Sequence, residues 1–330
     1  MKSNQPIGVG IIGLGAIGRR VLEAFKQHPM TQVRAVCDVS PELAHETATT
    51  IDGCNDYTGY HALLADGGVE LVYIAVPPAY HREIALAAFS RQKHVFCEKP
   101  LANSIEEAHD MLTAAQSAGV VHAINFPLPY QGQLDEFTRL VEAGFLGELR
   151  RVEMIMHFPQ WPRHWQQNNW VGGREQGGYI REVAPHLVQA ILQLFGPITK
   201  VHSDVEYPAE PTRCETSVIA TMRLESGVPV LVNGLSDMAA MEKVAVTAYG
   251  TSGTISLENW SILKTAPAGQ PLTACEVTSR PAALTLIDQL VTALHGQQPA
   301  KLVDFHMGYD IQRIIEALRG GSTSRTSNQP

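Results

Sequence analysis

Short apolar runs punctuate the first 125 residues: IGVGII (7–12), VRAVC (33–37), LVYIAV (71–76), HVFC (94–97) and VVHAI (120–124). They are rich in β-branched residues and show little apolar–polar alternation, which predicts strands buried on both faces. Between them the spacing becomes helical. Ile17, Val21, Leu22 and Phe25 share one face, as do Ile84, Ala85, Ala88 and Phe89. After Pro100, the segment Ser104-Ile105-Glu106-Glu107 reads as a capping box, followed by Ala108, Met111, Leu112 and Ala115 and a stop at Gly119. Strands alternating with helices predict a parallel sheet covered on both faces.

The pattern changes near residue 126. A helix over 132–143, ending at Gly144, leads into the alternating strand RVEMIMH (151–157). Further strands are predicted at SVIATMRL (217–224), VPVLVNGL (228–235) and KVAVTAYG (243–250). Glu225-Ser226-Gly227 is a hairpin-sized link between the first two of these. A mostly antiparallel sheet with helices on one face is expected. Met307, Ile311, Ile314, Ile315 and Leu318 form a late helix face behind an Asp304 cap, and a disordered tail is expected over 321–330. The fold class is therefore α/β: a doubly wound parallel sheet over 1–125, then an α+β domain with an open sheet over 126–320.

Composition narrows the classes. A chain of 330 residues, 45% hydrophobic and 18% charged, fits two ordinary globular domains. A net charge of −8 and a pI near 5.9 argue against a broad nucleic-acid surface. The apolar stretch IGVGIIGLGAIG is broken by five glycines and followed by Arg19-Arg20, so neither a membrane span nor a secretory signal is expected. The expected compartment is the cytoplasm. Five scattered cysteines without CxxC spacing predict neither a disulfide framework nor a metal site.

The first strand runs into Gly13-Leu14-Gly15-Ala16-Ile17-Gly18, where a helix begins, and Asp38 follows the second strand. A GxGxxG turn in that setting is a dinucleotide-binding fingerprint. The first glycine makes the turn, the second admits the pyrophosphate, and the third lets helix and strand pack, while helix amides face the phosphates. Asp38 suits the adenosine ribose hydroxyls and opposes a 2′-phosphate, and Val39-Ser40-Pro41 offers no arginine to hold one. NAD is expected ahead of NADP, with Arg19 and Arg20 the nearby cations.

The strand at 94–97 ends in Glu98-Lys99-Pro100. Alone, such a triplet reads as an exposed turn. Together, however, Gly13–Gly18 and YIAVPPAYHREIALAAFSRQKHVFCEKPLA (73–102) resemble the Gfo/Idh/MocA oxidoreductases, named for glucose-fructose oxidoreductase, inositol dehydrogenase and a rhizopine catabolism protein. The resemblance continues, more loosely, through VEAGFLGELRRVE (141–153) and YGTSGTISL (249–257). It implies a Rossmann domain followed by an α/β domain with an open sheet. It also implies a catalytic or substrate-orienting amine at Lys99, aimed by a cis Lys99–Pro100 bond, with Pro77, His81 and Glu98 near the cofactor. For His81 a plain helix-opening role stays equally open. The lysine's place is physically sensible, because open parallel sheets bind ligands beyond the carboxyl ends of their strands.

GGYIREVAPHLVQ (177–189) matches the family's second block in part. The family's aspartate is Glu182 here, its next glycine is Ala184, its histidine is His186 and its last acid is Gln189. The resemblance implies His186 as general acid/base, since imidazoles titrate near neutral pH, with Glu182 orienting it. Four-residue spacing puts the two on one face if the helix has begun, although Pro185 suits only a first turn. In place of the family's early arginine stands Asn125-Phe126-Pro127-Leu128-Pro129-Tyr130. Tyr130, Trp165, Tyr179 and Arg181 are the candidate substrate residues. Packing or a subunit contact competes for the tryptophans at 161, 165 and 170, and an ion pair competes for Arg181. The expected activity is NAD(H)-dependent hydride transfer at a hydroxyl-bearing carbon of a sugar, polyol or related small cyclic compound. The alternatives are a silent NAD or ligand sensor and an NAD-dependent glycosidase. A homodimer or homotetramer through the second sheet is expected.

Overall fold

A computed structural model describes residues 5–166, 169–277, 282–320 and 323–324. The chain divides into two compact units, Met1–Tyr130 with Arg280–Asp310, and Gln131–Ser279 with Ile311–Pro330.

The first unit is built on six parallel strands, β1 (Ile7–Ile12), β2 (Thr31–Cys37), β3 (Asn55–Tyr57), β4 (Leu71–Ile74), β5 (His94–Cys97) and β6 (His122–Ile124). Their order is β3-β2-β1-β4-β5-β6, so the winding direction reverses between β1 and β4, where such sheets bind ligands. Every residue of β1 and β4 is buried, which is why these runs lack alternation. The connections carry α1 (Ala16–Gln27), α2 (Pro41–Thr49), α3 (Tyr60–Ala65), α4 (His81–Phe89) and α5 (Ile105–Ala118). Ser104 caps α5 by accepting the Glu107 N–H at 3.2 Å. The Glu107 carboxylate reaches one residue past the expected amide, to the Asn103 N–H at 3.0 Å. Gly119 ends the helix in the left-handed region, at φ 64°.

The second unit begins with α6 (Gly132–Glu142) and β7 (Leu149–Phe158), then α7 (Tyr179–Glu182) and α8 (Ala184–Phe195). Strands β8 (Ile198–Glu206), β9 (Ser217–Leu224), β10 (Pro229–Ser236), β11 (Lys243–Gly250), β12 (Gly253–Glu258), β13 (Ile262–Pro267) and β14 (Thr273–Ala274) follow. The sheet order is β14-β13-β12-β11-β7-β10-β9-β8, antiparallel except for the parallel pair β7 and β10. Along β9, Val218, Ala220, Met222 and Leu224 are buried while Ile219, Thr221 and Arg223 face out, the mark of a sheet covered on one side. Helices α6 and α8 pack against β11–β13.

After β14 the chain returns to the first unit as α9 (Ala282–Leu294), and α10 (Phe305–Gly320) follows, capped by Asp304 accepting the Met307 N–H at 3.0 Å. Leu286, Ile287, Leu290, Val291 and Leu294 of α9 join one core with Val21, Leu22 and Phe25 of α1. The expected single boundary at 125 therefore differs from the division found. A helix over 282–294 is not among the expected elements, and a local apolar stripe carries no information about which core receives it. Of the expected tail, Thr323–Ser324 forms β15, antiparallel to β8, and the remainder lies outside the described residues. Among the described residues, no helix is long and apolar enough to cross a membrane.

Candidate active site

At the end of β1, Gly13 turns the chain at φ 95° and donates its N–H to Cys37 O at 2.8 Å. A Cβ on Gly13 would lie 2.3 Å from Ala75 O, and one on Gly18 would lie 2.0 Å from Gly13 O. Both positions therefore require glycine for the protein's own packing. A Cβ on Gly15 would meet nothing within 4 Å. That glycine faces open space at the start of α1, where no side chain caps the first amides and Ala16 and Ile17 are exposed. Uncapped amides beside free space suit a phosphate, so the turn fits the dinucleotide that its sequence implies.

Asp38 sits at the end of β2, its Oδ2 accepting the Leu14 N–H at 2.8 Å and its Oδ1 the Ser40 N–H at 3.0 Å. The glycine-rich turn and the acid are thus tied together by the acid itself. Ser40 accepts the Leu43 N–H at 3.2 Å and donates to Glu42 at 3.0 Å, which places a second carboxylate at the same end of the sheet. Val39 is almost fully exposed.

At the end of β5, Glu98 turns inward. Its Oε1 accepts the Tyr73 hydroxyl and the Asn125 amide, the latter at 2.5 Å. Tyr73 lies in β4, stacked on Phe96 of β5 at 4.9 Å, so Glu98 ties the ends of β4 and β5 to the residue after β6. Burial pushes its carboxyl above the usual carboxylate range, opposed by Tyr73, Asn125 and the neighbouring Lys99. Burial, and then the Glu98 charge, raise the Tyr73 phenol. Lys99 is partly exposed beside this network, and its peptide bond to Pro100 is cis. Pro77 is exposed in the loop after β4.

His81 differs from its place among the cofactor-binding candidates. The ring is wholly buried, with Nε2 2.9 Å from Val76 O and Nδ1 3.0 Å from Pro100 O. Both nitrogens face backbone carbonyls, so the ring ties the loop after β4 to the loop carrying Lys99 and has none left for a nucleotide. Burial lowers its pKa.

In the second unit, Glu182 and His186 are partly exposed while every other residue from Gly177 to Ile191 is buried. The four-residue spacing thus puts both on the same exposed stripe, although α7 ends at Glu182 and α8 starts at Ala184 with Pro185 in its first turn. Glu215 anchors this segment. Its buried carboxylate accepts the Ile180 N–H at 2.7 Å and presses on Gly178, where an added Cβ would lie 2.2 Å from Oε2. Burial lifts its pKa to about 7, against the pull of the Ile180 amide, Arg319 and Arg181. The His186 ring meets Trp260 edge-to-face at 5.5 Å and 87°.

The candidate substrate residues fare differently. Arg181 is buried and pairs with Glu316 at 3.0 Å, and Glu316 also binds Arg319, so the ion-pair reading fits rather than a grip on substrate. Tyr179 is fully buried against Phe158 and Trp161, and Tyr130 is buried in the first unit's core. Trp165 is 72% exposed and open to a ligand. Trp161 is buried and donates to Val171 O at 3.2 Å, and Trp170 is half-buried. Tyr73, Glu215 and Trp260 carried no signal in the sequence, because their partners lie far along the chain.

Two family models match the chain: the GFO/IDH/MocA oxidoreductase family with its NAD-binding Rossmann fold over residues 7–126, and the GFO/IDH/MocA C-terminal domain over 135–256. Levoglucosan dehydrogenase of Pseudarthrobacter phenanthrenivorans is 28% identical over 212 residues, 60% of this chain and 54% of the relative, so the chain spans about half that relative's length. A dTDP-3,4-didehydro-2,6-dideoxy-alpha-D-glucose 3-reductase of Streptomyces antibioticus is 27% identical over 253 residues, 76% of this chain and 74% of the relative. Among solved structures, levoglucosan dehydrogenase in complex with NADH and L-sorbose superposes with a TM-score of 0.82 at 20% identity, covering 95% of this chain and 96% of that one. That likeness concerns the fold.

Proposed function

Since this chain belongs to the Gfo/Idh/MocA family of NAD-binding oxidoreductases, we propose that it is an NAD(H)-dependent enzyme transferring a hydride at a hydroxyl-bearing carbon of a sugar, polyol or related small cyclic compound. One observation carries the reading: the Gly13–Gly18 turn, Asp38 and Lys99 gather at the carboxyl ends of β1, β2 and β5 in one parallel sheet. The relatives named for sugar substrates support the substrate class.

With the dinucleotide bound, its nicotinamide would supply a hydride acceptor in one direction and a hydride donor in the other. The amides of the turn would hold the pyrophosphate and Asp38 the ribose hydroxyls. With Glu42 nearby and Val39 in place of an arginine, NAD is favoured over NADP by at least roughly tenfold in kcat/KM. Lys99 donates a hydrogen bond to the reacting oxygen and favours its developing negative charge. His186, when neutral, takes the hydroxyl proton as the carbon is oxidised and returns it in reduction, with Glu182 on the same exposed stripe.

The test is NADH formation from a panel of aldoses, cyclic polyols and hydroxy acids. Lys99→Ala is expected to lower kcat roughly a hundredfold while NADH binding, followed by fluorescence, stays near wild type. A wild type that binds NADH yet oxidises no member of the panel overturns the reading.

A further inference from the structure

The β12–β13 turn contains a residue in the wrong backbone conformation for its type. Asn259 has φ 45° and Trp260 φ 74°, consecutive left-handed residues joining two antiparallel strands. Turns of that kind take asparagine and then glycine, because only glycine enters the left-handed region without steric cost. Asparagine is present; tryptophan stands where glycine belongs. A bulky side chain persists there only where something else in the molecule favours it, and such strain collects at functional sites.

The turn is also held tightly. Asn259 donates its N–H to Val244 O at 2.7 Å and its Oδ1 accepts the Val244 N–H at 3.0 Å, locking the tip against β11. Strand register places this tip at a particular end of the sheet. Ala245 pairs with Glu258, Lys243 with His157, and Phe158 with Ser236, so the turn shares its end with the last residues of β7 and β10. Of the four non-glycine residues with positive φ among those described, Asp237, Asn259 and Trp260 all lie at this end. There the half-buried indole meets the His186 imidazole at 5.5 Å, edge to face.

We propose that Trp260 is a substrate-binding residue, an aromatic wall against which the C–H face of a pyranose or carbocyclic polyol rests while a hydroxyl of that ring meets His186. Ligand sites combine apolar aromatic surface with a few oriented polar groups, and a half-buried indole beside an imidazole supplies both in one contact. The inference rests on the reading of His186 as the acid/base group, and it explains a strain that packing alone does not. A tryptophan serving only the core would be buried and would sit in relaxed backbone.

The test uses the full chain loaded with NADH, with D-glucose and myo-inositol as probes in saturation-transfer NMR, and thermal melting in parallel. Trp260→Gly is expected to weaken probe binding roughly tenfold or more, and Trp260→Phe by no more than about threefold. Because glycine relieves the backbone, Trp260→Gly is expected to melt within about 2 °C of wild type or above it. Equal binding by Trp260→Gly overturns the proposal, as does a melting point far below wild type, which would mark an ordinary packing residue. A wild type that binds neither probe overturns the ligand class. A wild type that binds a probe but, loaded with NAD+ in place of NADH, forms no NADH from it removes the proposed hydride transfer, whereas weaker probe binding by Trp260→Gly still supports the aromatic wall.

Discussion

A carboxylic acid buried among backbone groups keeps its proton to higher pH in the folded chain than in the unfolded one, and Glu215 is such a group, lifted from 4.5 to about 7 by burial. The folded state then binds more protons than the unfolded state across that window, so stability is greatest near the lower limit and falls as pH rises through it. Arg181 and Arg319 pull the other way, and Tyr179, Tyr207 and Cys214 lie within reach of the same charge. Urea unfolding of the wild type is expected to lose about 1–3 kcal/mol between pH 5 and 7 through this group. Glu215→Gln preserves the acceptor for the Ile180 amide and should flatten that loss. An unchanged slope in the variant would assign the titration elsewhere. Its consequence reaches the candidate site, because the amide that Glu215 holds lies two residues before Glu182.

The glycines of the β1–α1 turn divide by what surrounds them. Gly13→Ala and Gly18→Ala would drive a methyl into backbone at 2.3 and 2.0 Å, so both are expected to lower the melting point by several degrees. Gly15→Ala projects into open space and should melt like wild type while binding NADH roughly tenfold or more weakly. If Gly15→Ala leaves the NADH fluorescence titration unchanged, phosphate does not approach that glycine. The sequence pattern revealed the glycines, because a motif is local. It also revealed β1, β5, β9 and β11, whose apolar runs or clean alternation match their burial. It missed β3, three polar residues at a sheet edge, and β8, in which only Ile198 and Val201 are buried. Helices α2 and α3 escaped because two alanines or two leucines are too small a stripe to show a period. The site divides the same way: Asp38, Lys99 and the Glu182–His186 pair are local patterns, whereas Glu98 meets Asn125 across 27 residues and Glu215 meets Ile180 across 35.

At the scale of the molecule, α9 carries substantial energetic weight. Burying five aliphatic side chains of this kind contributes on the order of ten kcal/mol, comparable to the net stability of a whole domain. A fragment of residues 1–130 alone should therefore lack a cooperative urea transition, and joining residues 280–310 to it through a flexible linker should restore one. A fragment 1–130 that unfolds cooperatively by itself would show α9 to be dispensable. The same arrangement sets a timetable for the newborn chain. All six strands of the parallel sheet leave the ribosome roughly 150 residues before α9 does, an interval on the order of ten seconds at common elongation rates. During that interval the part of α1 that α9 covers waits without its partner, so the unit made first is completed late, and the helper proteins that shelter nascent chains meet it with that surface still in water.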